Sequence, residues 1–251
     1  MMAKRMSSIL PPLTLDEALE TTKIYSVAGK GNPLGGLMRQ RPFRAPHYSA
    51  SMAALIGGGT DNIMPGEISL AHTGVLFLDE LPEFHRDALE TLRQPLEDGR
   101  VTITRVNGRV TYPCNFMLVC AMNPCKCGWY GHASGRCRCS EKDVRRYHSR
   151  ISGPLLDRID MHIEVESIPA ERLAQESPEE NSDSIRARVE AAREIQLRRY
   201  ENDSAGIRIN AQLSARNLNK ACKVSGEAQE LLLLSCERLK LSNRAYTRIL
   251  K

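Results

Sequence analysis

The spacing of apolar residues changes along the chain and divides it into two parts. In the first part, short apolar runs between Gly, Pro and Asn predict strands over 75–79, 115–121 and 159–165. Between these runs, three- and four-residue spacing predicts helices over 15–25, 51–56, 82–99 and 141–151. Beyond 183 every periodic segment is helical, over 184–201, 214–222, 226–239 and 242–251. The pattern therefore predicts an α/β part followed by an all-α part.

Two of the predicted helices carry local signals. Thr14 precedes the first of them, and Glu17 completes a capping box three positions later. The segment 82–99 contains Pro95, and we expect a kink there because proline has no backbone N–H to donate.

The segment 174–183 is acidic and polar, which is typical of a linker. We therefore predict an α/β core over 1–168, a linker over 169–183 and a helical lid domain over 184–251.

A β-hairpin is predicted over 101–112. β-Forming residues alternate on both sides of Asn107-Gly108, a dipeptide that favours a two-residue hairpin turn. Arg105 and Arg109 flank this turn. They are candidates to contact phosphates, and the alternative is two solvated arginines on an ordinary hairpin.

Composition limits the class of protein without identifying it. The 251 residues are long enough for a core, and no apolar run approaches the roughly 18 residues of a membrane span. The basic start, MMAKRM, is not followed by an apolar signal core, so we expect a cytoplasmic protein with no membrane partner. The net charge of +5 is compatible with nucleic-acid binding but too small to argue for it.

The strand over 75–79 ends in two adjacent carboxylates, Asp79 and Glu80. Nucleoside triphosphatases use such a pair to bind Mg²⁺ and to polarise the attacking water. Their usual partner, G-x-x-x-x-G-K-[ST], is absent, because the one Gly-Lys of the sequence, Gly29-Lys30, is followed by Gly31. The alternative is an acidic helix start, where carboxylates suit the helix dipole.

Polar residues also follow the next predicted strand. Asn123 follows the run over 115–121. In a parallel sheet it would lie beside Glu80 and help to position a water. The alternative is an ordinary Asn-Pro turn. Farther along, Arg150 and Arg158 lie in SRISGPLLDRID. An arginine at a subunit edge can reach a neighbour's γ-phosphate, and the alternative for Arg158 is a surface ion pair with Asp157 or Asp160.

Four of the eight cysteines form two C-x-C pairs, Cys125 with Cys127 and Cys137 with Cys139. Four thiolates are enough for a closed tetrahedral zinc site, with His132 or Cys120 as substitute ligands. Free reduced thiols are the main alternative to structural zinc, and disulfides the lesser one. The basic residues over 136–146 make the segment either a DNA-facing loop or a solvated charged surface.

Taken in order, GVLFLDELPEF, the hairpin, LVCAMNPCKCG, SRISGPLLDRID and SNRAYTRIL closely resemble the Mg-chelatase-like AAA+ ATPases of the ComM type, over essentially all of the chain. The resemblance implies a P-loop-type parallel sheet and an all-α lid. It also implies that MMAKRM corresponds to the helix after the Gly-Lys-Thr of the phosphate loop. We therefore expect a fragment that lacks the first strand and this loop, and that hydrolyses no ATP alone.

The resemblance also assigns roles to single residues. Asp79 and Glu80 match the Walker B pair, with Asp79 on the Mg²⁺ of the bound ATP, and Asn123 matches sensor 1. Arg158 matches the arginine finger, with Arg150 as second choice.

Two further matches concern the lid and the hairpin. Arg244 matches the sensor-2 arginine, which reaches the γ-phosphate from the lid. The hairpin matches a pre-sensor hairpin that faces a central pore, and 49–59 is a weaker pore candidate.

The implied function is that of an ATP-driven ring motor, expected to be a hexamer, that acts on DNA as a helicase in branch migration during recombination and natural transformation. ATP and Mg²⁺ are the implied cofactors. Two alternatives stay open: the ATPase subunit of a complex that inserts metal into a porphyrin, and a regulatory module without catalysis.

Overall fold

The structure of the chain, a computed structural model, describes residues 2–31, 35–59, 62–106, 108–165, 180–202, 207–213, 217–218 and 221–250. It divides into two compact units, Met1–Arg158 and Ile159–Lys251. The predicted bounds of core, linker and lid stay a prediction, and most of the predicted linker lies outside the described residues.

The first unit alternates short helices with short strands. Its helices are α1 (Met6–Ile9), α2 (Leu15–Val27), α3 (Met52–Ile56), α4 (Glu67–Leu70), α5 (Arg86–Glu90), α6 (Arg93–Asp98), α7 (Glu141–His148) and α8 (Gly153–Leu156). Its strands are β1 (Phe43–Arg44), β2 (Gly57–Gly58), β3 (Met64–Pro65), β4 (Val75–Leu78), β5 (Arg100–Arg105), β6 (Gly108–Pro113) and β7 (Met117–Cys120). Short 3₁₀ turns lie at Met2–Arg5 and Leu81–Glu83.

The centre of this unit is a parallel sheet in the order β1-β4-β7. Val75, Leu76 and Leu78 of β4 are fully buried, as expected for a parallel strand covered on both faces. The predicted α/β class with a parallel sheet is therefore confirmed. The two-residue β1 was missed, because so short a strand has no readable alternation.

The capping box at α2 is confirmed. The Thr14 hydroxyl accepts the Glu17 N–H at 3.3 Å, and a Glu17 carboxylate oxygen accepts the Thr14 N–H at 2.9 Å. Arg41 pairs with the same carboxylate at 2.9 Å and donates to the Thr73 carbonyl at 2.6 Å. Arg41 therefore joins α2 to the segment before β4.

The predicted hairpin is also confirmed. β5 and β6 pair antiparallel from Arg100 opposite Pro113 to Arg105 opposite Gly108, while Asn107 lies outside the described residues. The Tyr112 hydroxyl donates to the Ile63 carbonyl at 2.6 Å, which joins the hairpin to the segment before β3.

The single helix predicted over 82–99 is wrong. The chain forms a 3₁₀ turn and then α5 and α6, with Phe84 in an extended conformation and 4% exposed. Pro95 lies in the first turn of α6, where its missing N–H has no intrahelical partner to lose. Because α6 begins at Arg93, no backbone hydrogen bond is lost at Pro95, whereas a continuous helix over 82–99 would lack one there.

The strand predicted over 159–165 is wrong as well. The structure assigns no strand there, and Met161, Ile163 and Val165 are 78%, 79% and 79% exposed. Alternation predicts which residues would share a face, but a strand also needs a neighbouring strand that forms hydrogen bonds with its backbone N–H and C=O groups. No strand pairs with this segment in the part of the chain that the structure describes.

From residue 180 onward, the second unit is mainly helical where it is described. It contains α9 (Ser182–Arg199), α10 (Gly226–Leu239) and α11 (Asn243–Leu250), close to three of the four predicted helices, and a 3₁₀ turn at Asn210–Gln212. The fourth, over 214–222, lies partly outside the described residues. A small core forms from Tyr200, Ile207, Leu213 and Leu218.

None of the helices in the described ranges combines the length and the apolar character needed to cross a bilayer.

Candidate nucleotide site and cysteine cluster

Asp79 and Asn123 follow neighbouring strands at the same edge of the parallel sheet. β4 and β7 are in register from Val75 opposite Met117 to Leu78 opposite Cys120. The ladder continues past the strands, because Ala121 donates to the Leu78 carbonyl at 2.9 Å and accepts from the Leu81 N–H at 3.0 Å. The carboxyl ends of the two strands, here called the sheet edge, therefore bring the two predicted polar groups together.

Glu80 adopts an unusual backbone conformation at this edge. Its φ is 53° and its ψ 44°, in the left-handed region that non-glycine residues enter at a cost. An Asp79 carboxylate oxygen accepts the Glu80 N–H at 3.0 Å. Both carboxylates are exposed although Leu78 before them is fully buried. The turn thus directs two carboxylates into solvent from the end of a buried strand, as a Mg²⁺ and water site requires.

Sequence reasoning missed two residues of α7 that lie near Asn123. His148 Nε2 lies 3.0 Å from the Pro124 carbonyl oxygen. Tyr147 before it is buried, and burial raises the pKa of Tyr147, so its hydroxyl stays protonated near neutral pH. Nothing in the local sequence marks either residue, because the contact joins segments far apart in the chain.

The two candidate finger arginines differ in their surroundings. Arg158 has a 5% exposed side chain, and it donates to Glu97 at 2.5 Å and to the Arg93 carbonyl at 3.1 Å. Arg150 is 52% exposed and donates to Glu83 at 2.7 Å and to the Pro82 carbonyl at 3.1 Å, just after Glu80. Within one chain, Arg150 therefore lies beside the sheet edge and Arg158 against α6. The ion pairs predicted for Arg158 with Asp157 or Asp160 are replaced by one with Glu97.

The hairpin and the glycine-rich turn after α3, the two predicted pore elements, are in contact. Arg105 and Arg109 are exposed near the tip of the hairpin, and a Cβ on Gly58 would lie 3.1 Å from an Arg105 guanidinium nitrogen. A cavity of about 370 Å³ lies here, lined by Lys30 and Arg105 among others. Lys30 and Arg105 thus share one surface with the glycine-rich turn.

Arg244 lies in α11 of the second unit. Its predicted role at the nucleotide stays a prediction.

The four paired cysteines converge as predicted. The Sγ atoms of Cys125, Cys127, Cys137 and Cys139 all lie within 4.8 Å of one another. Cys125 Sγ is 3.3 Å from Cys127 Sγ and 3.8 Å from Cys137 Sγ. Four sulfurs at about 2.3 Å from a tetrahedral Zn²⁺ would be about 3.8 Å apart. The spacing therefore fits a tetrathiolate metal site.

Backbone donors favour the thiolate form of Cys127, whereas side-chain hydrogen bonding to Cys127 raises the pKa of Cys139 to about 12. N–H groups of Trp129 and Arg138 bond to Cys127 and, with a hydrogen bond from Cys125, lower the pKa of Cys127 to about 6. By contrast, burial raises the pKa of Cys120 to about 12, so it remains a thiol. His132 Nδ1 bonds to the Ser134 hydroxyl at 2.7 Å, and neither substitute ligand belongs to the cluster. The donors around Cys127 are typical of structural metal sites.

Two protein families match adjoining parts of the chain. The family described as magnesium chelatase, subunit ChlI, matches residues 1–173, and the family described as magnesium chelatase, subunit ChlI C-terminal, matches residues 179–251.

Several curated proteins are similar along the whole chain. The competence protein ComM of Haemophilus influenzae is 45% identical over 252 residues, and the uncharacterized protein YifB of Salmonella typhimurium is 42% identical over 252 residues. An uncharacterized protein of Mycobacterium bovis is 41% identical over 251 residues. Each alignment covers 100% of this chain but 48–49% of the relative, so the chain spans about half the length of these relatives. The chain therefore belongs to the Mg-chelatase-like family, with relatives named ComM and YifB along its full length.

Proposed function

We propose that the full-length protein carrying these residues is a cytoplasmic AAA+ ATPase that works as a ring, expected to be a hexamer, and acts on DNA. The observation that carries the proposal is the sheet edge, where Asp79, the strained Glu80 and Asn123 follow adjacent parallel strands. The match to the magnesium chelatase family supports ATP and Mg²⁺ as the cofactors.

The chemistry would be divided among three side chains at the sheet edge. Asp79 would hold Mg²⁺, which neutralises phosphate charge, and Glu80 would take a proton from the attacking water. The Asn123 amide would orient that water. The exposure of both carboxylates at the end of a buried strand supports this division, because Mg²⁺ and water can reach them from solvent.

Arginines from elsewhere would complete the site. Arg158 is the family match for a finger acting on a neighbour's γ-phosphate, and it would have to leave Glu97 to do so. Arg150 needs no such release from a buried position and is the second candidate. Arg244 would reach the phosphate from the lid.

DNA is proposed as the substrate because of the hairpin and one relative. Arg105 and Arg109 are exposed at the hairpin tip, where they can contact phosphates without reading sequence. The relative from Haemophilus influenzae is named a competence protein. We extend that name to a role of this protein in natural transformation and recombination, as a helicase in branch migration.

The same proposal includes one structural Zn²⁺ in the cysteine cluster. The sulfur spacing and the backbone donors support it. Zinc would hold the loop 125–139, here called the cysteine loop, in which Cys125 is the only buried residue among fifteen that the structure describes.

A second candidate function is ATP-driven insertion of Mg²⁺ into a porphyrin, favoured by the description of the matching family. DNA binding by the full-length protein separates the two. We expect affinity for duplex or forked DNA to fall with salt, and the double variant R105A/R109A to reduce the log–log salt slope by about 0.9 for each phosphate that the variant can no longer neutralise. R188A/R198A is the matched control, since it removes the same charge from the exposed surface of α9.

Two results would overturn the DNA proposal: no binding at low salt, or an equal reduction of the slope in the control variant. Porphyrin metallation that depends on ATP, in the absence of DNA binding, would favour the second candidate.

A further inference from the structure

We propose that the cysteine site positions Asn123, so that metal in the cluster sets the geometry of the sheet edge. The inference rests on the zinc and on the Asn123 role proposed above. It goes beyond both, because it joins two sites that the sequence presents as separate.

The last turn of α7 contacts the chain directly after Asn123. His148 Nε2 lies 3.0 Å from the Pro124 carbonyl oxygen. A carbonyl oxygen only accepts, so Nε2 carries the proton. This hydrogen bond thus joins α7 to the residue that follows Asn123.

The cysteines lie at both ends of the segment between Asn123 and α7. Cys125 directly follows Pro124 and is fully buried. At the other end, Cys139 directly precedes Ser140, whose hydroxyl caps α7 by accepting the Asp143 N–H at 3.2 Å. A metal bound by both cysteines would therefore join the segment after Asn123 to the start of α7.

These contacts close a ring. It runs from Pro124 through Cys125 and the metal to Cys139, along α7 to His148, and back to the Pro124 carbonyl oxygen through Nε2. Every link except the metal is covalent chain, helix or a hydrogen bond. Removal of the metal would open the ring at a loop that has no apolar core of its own.

The bulky residues of the loop do not replace that core. Trp129 is 37% exposed and Tyr130 is 47% exposed. Trp129 contacts only groups of the same loop in the aromatic contacts of the described residues, namely His132 at 5.1 Å between ring centroids and the Arg136 guanidinium at 5.1 Å. Without metal, loop closure therefore has little burial to offset its entropy.

Metal content and amide hydrogen exchange test the inference on the 251-residue chain. We expect about one Zn²⁺ per chain, and Co²⁺ in its place should give the visible spectrum of a tetrahedral thiolate site. The variant C137S should release the metal, and exchange of the Leu81 amide, which donates to the Ala121 carbonyl at the sheet edge, should then accelerate roughly five- to tenfold, the change expected when one hydrogen bond is lost. C222S/C236S, with both cysteines outside the cluster, is the control and should keep metal and protection.

His148→Phe tests the hydrogen bond to Pro124 without removing a proposed ligand. We expect the same acceleration at Leu81 with unchanged Zn²⁺, while His85→Phe, at an exposed position, should change neither. In the full-length protein, His148→Phe should lower kcat for ATP hydrolysis and leave ATP affinity unchanged.

Two outcomes would overturn different proposals. A chain without bound metal would overturn the zinc proposal and the inference together. Metal that C137S removes without any change at Leu81 would overturn the inference alone. Because exchange is measured without ATP, neither result depends on the proposed hydrolysis.

Discussion

The sheet edge and the cysteine loop adjoin in sequence, but they are held in place by different forces. The sheet edge follows Leu76 and Leu78, both fully buried, and is joined across β4 and β7 by a parallel ladder. The cysteine loop begins two residues after Asn123, and most of its side chains are in contact with solvent. Hydrophobic burial can stabilise the sheet edge, whereas the cysteine loop needs another source of stability, such as metal coordination.

The two regions therefore owe their stability to two different interactions, hydrophobic burial and metal coordination. Burial of apolar surface acts on the whole first unit, because Leu76, Leu78, Leu89, Ile103 and Leu155 share one core. Metal coordination would act on the loop, on α7 and, through α7, on the position of Asn123. A variant that weakens the core without unfolding the chain should therefore keep its metal, and the first prediction below uses this difference.

The largest effect is expected from Leu76→Ala. Removing a fully buried side chain from the central strand should lower the free energy of unfolding of the first unit by about 2–5 kcal/mol. Denaturant titration would measure the decrease, and Zn²⁺ per folded chain should stay unchanged. Val106→Ala, at a fully exposed position of the hairpin turn, is the control with an expected change within about 0.5 kcal/mol. Release of metal in the Leu76 variant would show that the metal site depends on the hydrophobic core.

An intermediate effect should separate the two finger candidates. Arg158→Ala removes a nearly buried guanidinium and its bond to Glu97, which we expect to cost about 1.5–3 kcal/mol. Arg150→Ala breaks a half-exposed pair with Glu83 and should cost about 0–1 kcal/mol. Thermal or denaturant unfolding of both variants measures the difference. Equal decreases in stability would contradict the expectation that the Arg158–Glu97 pair stabilises the fold more than the Arg150–Glu83 pair.

The smallest effect concerns acid sensitivity on the sheet side. Burial lowers the pKa of His72 from its ordinary value of 6.5, although Glu20 opposes the shift. His72 is therefore neutral in the fold, and its Nδ1 accepts the Asn115 N–H at 3.1 Å. Because the unfolded chain takes up the proton first, this contribution is complete above about pH 6.5 and is lost as the pH falls through the folded pKa.

The variant His72→Asn should flatten the dependence of stability on pH below 6.5, measured by denaturant titration at several pH values. Exposed His85→Asn should leave the dependence unchanged. A steep dependence that survives in the His72 variant would assign the acid sensitivity to other groups.

Features set by neighbouring residues were predictable from the sequence. The capping box at Thr14, the hairpin over 101–112 and the cysteine cluster each depend on a spacing within one segment, and all three are present. The meeting of Asp79 with Asn123 was also predictable, because parallel strands end at the same edge.

Features set by distant contacts were not predictable. The break between the 3₁₀ turn and α5 lies at Phe84, which packs into a core assembled from many segments. The segment over 159–165 has the alternation of a strand but no partner in the described part of the chain. His148 reaches Pro124 across the whole cysteine loop, and no local pattern marks such a contact.

The central claim, that the sheet edge is the centre of ATP hydrolysis, is tested most directly by Glu80→Gln in the full-length protein. Steady-state ATP turnover should fall by about 10²-fold or more, because Gln cannot take a proton from water, while ATP binding is retained. Asp87→Asn, an exposed carboxylate in the first turn of α5, is the control and should hydrolyse ATP normally. Unchanged turnover in the Glu80 variant, or an equal decrease in the control, would contradict the account.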